Sequence, residues 1–239
     1  MRNVIRLRGL LWLLLLGAGV PLSGSAPSAP GEWHVVRCGD STYHYVLYVP
    51  LQGAPAPAIV LLHGAGGEPV SMVEAWKDLA RQDGIVLLAP DIPQTIAFEA
   101  LAPQVFHCMV EDARRGAKID PRRVYLFGHS MGGYLAYDAA LLESRYFAAA
   151  AIHAMGIAEE YTGLIARAAR KMPIAIYIGD RDQLIPLAGV RRTRDLLLAA
   201  GFTVHYVELP GHNHNYFAIS DQIDADAWGF LKDKVLPGS

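Results

Sequence analysis

The chain has 239 residues, of which 52% are hydrophobic, and its formal net charge at pH 7 is −2. This length and apolar content suffice for one domain with a substantial core. The near-neutral charge gives no electrostatic basis for binding nucleic acid or an anionic membrane, so neither is expected as a partner.

The first residues have the order of regions found in a secretory signal peptide. Three basic residues come first: Arg2, Arg6 and Arg8. An apolar run over residues 10–20 follows, and the small residues after it favour cleavage near Ser25 or Ala26. A retained anchor is the alternative, although the run is short for a membrane span.

We therefore expect a signal peptide over residues 1–26 and a single domain over residues 27–239. The mature protein would be secreted or periplasmic, without a stable membrane anchor. Because residues 1–26 contain three arginines and no acidic residue, removing them changes the formal net charge from −2 to −5.

The sequence contains two cysteines, Cys38 and Cys108. In an oxidising compartment they could form one disulfide, and two buried free thiols are the alternative that the sequence leaves open. Neither a Cys-x-x-Cys spacing nor a helical His-x-x-x-His pair is present, so no metal site is expected.

Short apolar runs alternate with helical patterns along the chain. The strand-like runs cover residues 43–49, 58–63, 85–89, 123–127, 148–153, 174–178 and 203–208. The helix-like segments cover residues 70–82, 104–118, 131–142, 159–171, 189–200 and 220–234. This alternation predicts an α/β fold, with a mostly parallel sheet covered by helices on both faces. The first run alternates less cleanly and fits an antiparallel leading strand. Residues 154–172 contain one short helix, so no large lid is expected.

A Gly-His-Ser-Met-Gly motif over residues 128–132 is the strongest functional signal. It lies between a buried strand and a helix rich in small residues, which is the context of a nucleophile elbow. The glycines permit a tight turn that exposes the hydroxyl of Ser130. The start of the helix behind it offers backbone N–H groups where an oxyanion would form.

A serine nucleophile needs a base to accept its proton and an acid to orient that base. In hydrolases with this elbow the chain order is serine, acid, histidine. Asp180 and Asp182 follow one later strand-like run, and His212 and His214 follow the last one. Asp182 is the preferred acid, because Asp180 lies nearer the strand end, where it could instead cap the turn. For the base, the residues leave His212 and His214 open.

Two N–H donors are needed for the oxyanion. One is the backbone of Met131, the residue after the nucleophile. The other is expected from the His-Gly-Ala-Gly-Gly loop over residues 63–67, whose glycines allow the backbone to approach a substrate closely. We assign it to Ala65.

From these motifs the chain resembles the α/β-hydrolases, and within them the secreted polyhydroxybutyrate depolymerases and feruloyl esterases. The resemblance spans residues 40 to 235 and rests on these segments: YVLYVP at 45–50, HGAGG at 63–67, IDPRRVY at 119–125, GHSMGG at 128–133 and GDRD at 179–182.

The resemblance implies Asp182 as the acid and, from dienelactone-hydrolase-like relatives, His214 as the base. Two departures favour a small or soluble ester over a polymer. The tryptophan that often follows the base is absent, with Tyr216 two positions beyond His214, and no polymer-binding module is recognised.

The sequence thus predicts an exported serine esterase that acts without a cofactor on a small-molecule or oligomeric ester. The alternatives are a serine peptidase or amidase with the same triad, and a non-catalytic binding protein on a hydrolase fold. His129 and His153 are expected to be packing residues.

Overall fold

A computed structural model describes residues 31–51, 53–93 and 101–238. The predicted signal peptide, with its apolar run and cleavage site, lies outside the described residues. Among the helices that are described, none has the length and apolar character needed to span a membrane.

Eight strands form one sheet in the order β1-β2-β4-β3-β5-β6-β7-β8. Their bounds are β1 Glu32–Cys38, β2 Ser41–Tyr48, β3 Ala56–Leu62, β4 Val86–Pro90, β5 Ile119–His129, β6 Ala149–His153, β7 Ile174–Gly179 and β8 Val204–Leu209. Strands β3 to β8 pair in parallel, whereas β2 is antiparallel to both β1 and β4. The predicted antiparallel leading strand is therefore correct.

Six α-helices accompany the strands in the part of the chain that the structure describes. Their bounds are α1 Pro69–Asp83, α2 Gln104–Ala113, α3 Met131–Leu142, α4 Gly163–Arg167, α5 Leu187–Ala199 and α6 Ser220–Leu231. Helix α1 starts with a proline at its first position. It is capped at its C-terminus by Gly84, which adopts the left-handed conformation that glycine tolerates.

The core lies on both faces of the sheet. One cluster packs the sheet against α1 and α6, and the other packs it against α2, α3 and α5. Strands β3 and β7 are buried over their whole length, because helices cover them on both sides. This is the predicted α/β-hydrolase architecture.

The structure differs from the sequence prediction at three elements. Strand β1 was not predicted, although the Gly39-Asp40 turn that joins it to β2 is a hairpin signal. Helix α2 ends at Ala113 rather than at residue 118, because the carbonyl of Lys118 already accepts a sheet hydrogen bond. The predicted 159–171 helix is a 3₁₀ turn at Glu159–Tyr161 followed by the short α4.

Cys38 and Cys108 form a disulfide, which settles the alternative that the sequence left open. The bond connects the end of β1 to helix α2 and closes a loop with a sequence separation of 70. By loop entropy alone a cross-link of this length stabilises the fold by about 4 kcal/mol.

Candidate active site

Ser130 stands in the turn between β5 and α3, at the carboxyl edge of the sheet. Its φ is 53°, in the region that glycine tolerates and other residues rarely adopt. A Cβ on Gly128 would overlap the carbonyl oxygen of Gly132, and one on Gly132 would overlap that of Leu62. Both glycines are therefore required for the turn, as the elbow motif predicts. The N–H of Ser130 donates to the carbonyl of His153 at 2.9 Å, which fixes the strained residue against β6.

The structure brings Ser130, His214 and Asp182 together. The Nε2 atom of His214 lies 2.9 Å from the Oγ of Ser130, and its Nδ1 lies 2.8 Å from the Oδ2 of Asp182. Because an ionised carboxylate only accepts hydrogen bonds, Nδ1 carries the proton and Nε2 is left to accept the serine hydroxyl. The Asp182 side chain is fully buried, whereas that of His214 is 19% exposed.

The turn after β7 holds the Asp182 carboxylate by its other oxygen. Oδ1 accepts the N–H groups of Leu184 and Ile185, each at 2.9 Å. These bonds compensate for burial of the charge and aim Oδ2 at the imidazole.

The loops after β7 and β8 are bonded directly to each other. A Cβ on Gly179 would overlap the carbonyl oxygen of His212, and the same carbonyl accepts the N–H of Arg181 at 2.9 Å. Asp180 caps this junction, since its Oδ1 accepts the N–H of Gly211 at 2.7 Å. The structure thus places Asp180 in the role of a turn cap, the alternative considered for it from the sequence.

The loop after β3 lies against the elbow. A Cβ added to Gly64 would come within 3.3 Å of the Ser130 Cβ and 3.1 Å of the His129 Cδ2. The adjoining His63 is buried and fixes the loop, because its Nδ1 donates to the carbonyl of Gly64 at 2.9 Å and its Nε2 accepts the N–H of Ile92 at 3.1 Å. Ala65, the proposed second oxyanion donor, follows directly. Met131, the first, opens α3.

Sequence reasoning missed a histidine cluster beneath the serine. The Nδ1 atoms of His129 and His153 are 2.9 Å apart, and the His129 ring lies 5.0 Å from that of His214. Tyr216, fully buried, packs on both His129 and His153. These contacts join positions at least 24 residues apart, and the one signal in the sequence is that both histidines end parallel neighbours, β5 and β6.

Burial determines the protonation state of His129 and His153. It lowers the pKa of His129 to about 4 and that of His153 to about 2, and the neighbouring histidines act in the same direction. The charge of Asp182 opposes the shift at His129 but does not overcome it. His212 also has a lowered pKa, mainly from desolvation, and its buried Nε2 has no partner among the described residues. Among the described residues it is His214, and not His212, whose ring nitrogen lies within hydrogen-bond distance of the Ser130 hydroxyl.

This arrangement contains the parts required for acyl transfer: a hydroxyl, an imidazole positioned to accept its proton, and a buried carboxylate that orients the imidazole. The N-terminus of α3 and the glycine loop after β3 converge on the same serine.

Comparison with known proteins agrees with the fold. A model of the alpha/beta hydrolase family matches residues 59–195, which is more than half of the chain. No curated protein matches the sequence.

Several solved structures share the architecture at low sequence identity. A thermostable esterase superposes with a TM-score of 0.69 at 20% identity, covering 86% of this chain and 63% of that one. An S-formylglutathione hydrolase from Agrobacterium tumefaciens gives 0.69 at 18% identity, covering 86% of this chain and 97% of that one. An acylaminoacyl peptidase from Pyrococcus horikoshii gives 0.70 at 15% identity, covering 87% of this chain and 42% of that one. This chain therefore spans less than two thirds of the first and third of these proteins.

Proposed function

The chain belongs to the alpha/beta hydrolase family, and from that premise we propose that it is a serine esterase whose catalytic triad is Ser130, His214 and Asp182. The observation that carries the proposal is the continuous path of two hydrogen bonds, of 2.9 and 2.8 Å, from the serine hydroxyl through the imidazole to the carboxylate.

In the proposed reaction, Ser130 Oγ attacks the ester carbonyl carbon while its proton passes to His214 Nε2. The N–H groups of Met131 and Ala65 stabilise the tetrahedral oxyanion. As the intermediate collapses, His214 returns the proton to the departing alcohol and an acyl-enzyme remains. Water then attacks the acyl group, gives its proton to His214 and releases the carboxylic acid, and the serine regains its proton.

The surroundings of the triad support an ester with an apolar part. Leu184 is 69% exposed and lies two residues after Asp182, and Phe217 is 48% exposed and lies three residues after His214. Exposed large apolar side chains beside a reactive group are typical of a ligand-binding surface. A resemblance to polyhydroxybutyrate depolymerases and feruloyl esterases belongs to the same proposal, with a small or oligomeric ester as the substrate.

We also propose that the protein is exported and that residues 1–26 are removed. The disulfide between Cys38 and Cys108 supports this, because such bonds persist in oxidising compartments. Expression of the full chain followed by fractionation and N-terminal sequencing tests it. A mature N-terminus near residue 26 in the periplasm or medium is expected, and an uncleaved chain in the cytosol would contradict it.

The test of function is hydrolysis of p-nitrophenyl acetate, butyrate and octanoate by the mature protein, beside peptide p-nitroanilides. We expect chain-length-dependent ester cleavage that Ser130→Ala abolishes, with the fold of the variant confirmed by circular dichroism. Cleavage of the anilides instead would make the protein a peptidase or amidase. Cleavage of neither class would favour the non-catalytic binding protein.

A further inference from the structure

The elbow histidine and its neighbour on β6 form a hydrogen-bonded pair that the proposed catalytic steps do not use. Their Nδ1 atoms are 2.9 Å apart, so one proton lies between the two rings. His153 is completely buried, and its Nε2 has no partner among the described residues.

The buried Nε2 of His153 indicates which ring donates. A buried N–H without an acceptor is rarer in proteins than an unpaired acceptor. The favoured arrangement therefore leaves Nε2 of His153 unprotonated and places the proton on its Nδ1, from which it is donated to His129. His129 then accepts at Nδ1 and carries its own hydrogen at Nε2.

An acceptor held in this way cannot be protonated at the same atom. A proton on Nδ1 of His129 would point at the N–H of His153, and the hydrogen bond would become a repulsive contact between two donors. His129 can be charged only if the pair breaks, or if the shared proton shifts to His129 while a second proton is taken up at the buried Nε2 of His153.

The groups that face His129 come from four elements. They are His153 at the end of β6, Asp182 after β7, His212 and His214 after β8, and Tyr216 in the 3₁₀ turn that follows. The loop after β3 contributes Gly64, which has no charge. Asp182 is the one acidic group in this set, and its carboxylate is already bonded to His214. The pKa of His129, about 4, follows from burial and from these neighbours.

We propose that His153 is a positioning residue that holds His129 in the neutral form, so that His214 is the only histidine of the cluster that takes up a proton during the reaction. A cation on His129, with its ring 5.0 Å from that of His214, would oppose formation of the imidazolium on which catalysis depends. The role of the pair in the reaction rests on the proposed function, whereas the protonation states can be measured without it.

The experiment is a pH titration of the histidine ring nitrogens by long-range ¹H–¹⁵N NMR on the ¹⁵N-labelled mature protein. In the wild type, His129 is expected to show an unprotonated Nδ1 and a protonated Nε2, unchanged between pH 5 and pH 8. In His153→Phe the donor is lost while the burial remains, so His129 is expected to take up a proton at a higher pH than in the wild type. In His153→Asn the side-chain amide restores an N–H near the same position, and the neutral state is expected to return.

The pH profile of kcat/KM for p-nitrophenyl acetate gives a second readout. The acid limb of His153→Phe is expected to move to higher pH, because protonation of His129 then adds to the loss of activity on acidification, and to return in His153→Asn. If His153 only filled space, the acid limb would move more in His153→Asn than in His153→Phe, because phenylalanine preserves the ring volume better than asparagine. His44→Phe, at an exposed position on β2, is the matched control and should leave the limb unchanged.

A titrating His129 in the wild type, or a proton on its Nδ1, would overturn the proposal even if the variants fail to fold. An acid limb that does not move in a folded His153→Phe would overturn its catalytic part. If the NMR result is as expected and the wild type cleaves no ester, the neutral pair stands and the proposed function fails.

Discussion

Two regions of the sheet, the β1–β2 hairpin and the carboxyl edge of the parallel strands, are held together by different means. At the antiparallel end, β1 and β2 pair over seven positions, a disulfide connects the hairpin to α2, and the Tyr45 hydroxyl donates to Asp112 at 2.8 Å. At the carboxyl edge of the parallel strands, Ser130 and Ala154 are the two non-glycine residues with positive φ among those described. The same edge contains two histidines whose buried Nε2 atoms have no partner there.

This comparison shows which region of the molecule contains features that lower its stability. Backbone strain and unpaired polar atoms each cost free energy, and they persist only where the surrounding structure enforces them. Among the described residues, both non-glycine residues with positive φ and two of the five unpaired buried polar atoms lie at the carboxyl edge, whereas the hairpin carries none of either. Substitutions in the two regions should therefore have separable effects, on activity at the carboxyl edge and on stability in the hairpin.

The largest expected effect is at the nucleophile. Ser130→Ala should lower kcat/KM for p-nitrophenyl esters by a factor of about 10⁴ to 10⁶, since the triad acts as a unit. Ser130→Gly should be equally inactive. Its free energy of unfolding should exceed that of Ser130→Ala by about 1 kcal/mol, because glycine adopts φ of 53° without strain. Urea unfolding of both variants measures the difference. Gly39→Ala, in the hairpin turn at φ of 62°, is the opposite control and should be destabilising.

The two aspartates after β7 provide a sharper test. Asp182→Asn should lower kcat by about 10³- to 10⁴-fold, because the amide no longer holds the His214 tautomer. Asp180→Asn removes the charge from a turn cap, so steady-state kinetics should show little change while the melting temperature falls slightly. A larger kinetic loss at Asp180 than at Asp182 would contradict the assignment.

In the hairpin region, the double variant Cys38→Ser, Cys108→Ser should lose about 2 to 4 kcal/mol of unfolding free energy, as expected for removal of a long-loop disulfide. The specific activity of the folded fraction should be unchanged, since β1 and α2 contribute none of the proposed catalytic residues. Urea unfolding and esterase assays on the same preparation separate the two. An inactive but stable double variant would show that the two regions are coupled.

The last prediction concerns pH. His129 and His153 have folded-state pKa values of about 4 and about 2, below the ordinary histidine value, so the unfolded chain binds more protons than the folded one in the acidic range. Stability from these two groups is present above pH 6.5 and is lost on acidification, down to about pH 4 for His129 and about pH 2 for His153. Each can contribute a slope of up to about 1.4 kcal/mol per pH unit.

The variant His129→Phe should flatten the dependence of the unfolding free energy on pH between 6.5 and 4. Urea titrations of wild type and variant across that range measure the difference in slope. An equal slope in both would mean that His129 is charged in the folded protein.

Much of the carboxyl edge of the sheet could be predicted from the sequence, because the residues that form it carry local signals next to strand ends. The elbow glycines, the glycine loop after β3 and the acidic turn after β7 each lie within a few residues of a buried apolar run. The choice between His212 and His214 could not be made on the residues alone, since it depends on how the loop after β8 turns. In the structure His214 reaches Ser130 across 84 positions of sequence.

The remaining features arise from packing between distant segments. Strand β1 exposes Trp33 and Val35, so it lacks the apolar pattern of a buried strand. The His129–His153 pair exists only because β5 and β6 are adjacent and in register at their last residues. The disulfide likewise depends on where α2 lies against the hairpin. Spacing along the chain contains no information on any of these contacts.

The most direct test of the central claim is labelling of the mature protein with a fluorophosphonate, followed by intact mass measurement and peptide mapping. The account predicts one adduct per chain, on Ser130, formed rapidly in the wild type and at background rate in His214→Ala, with His212→Ala close to the wild type. An adduct on another residue, or no adduct on the folded wild-type protein, would contradict it.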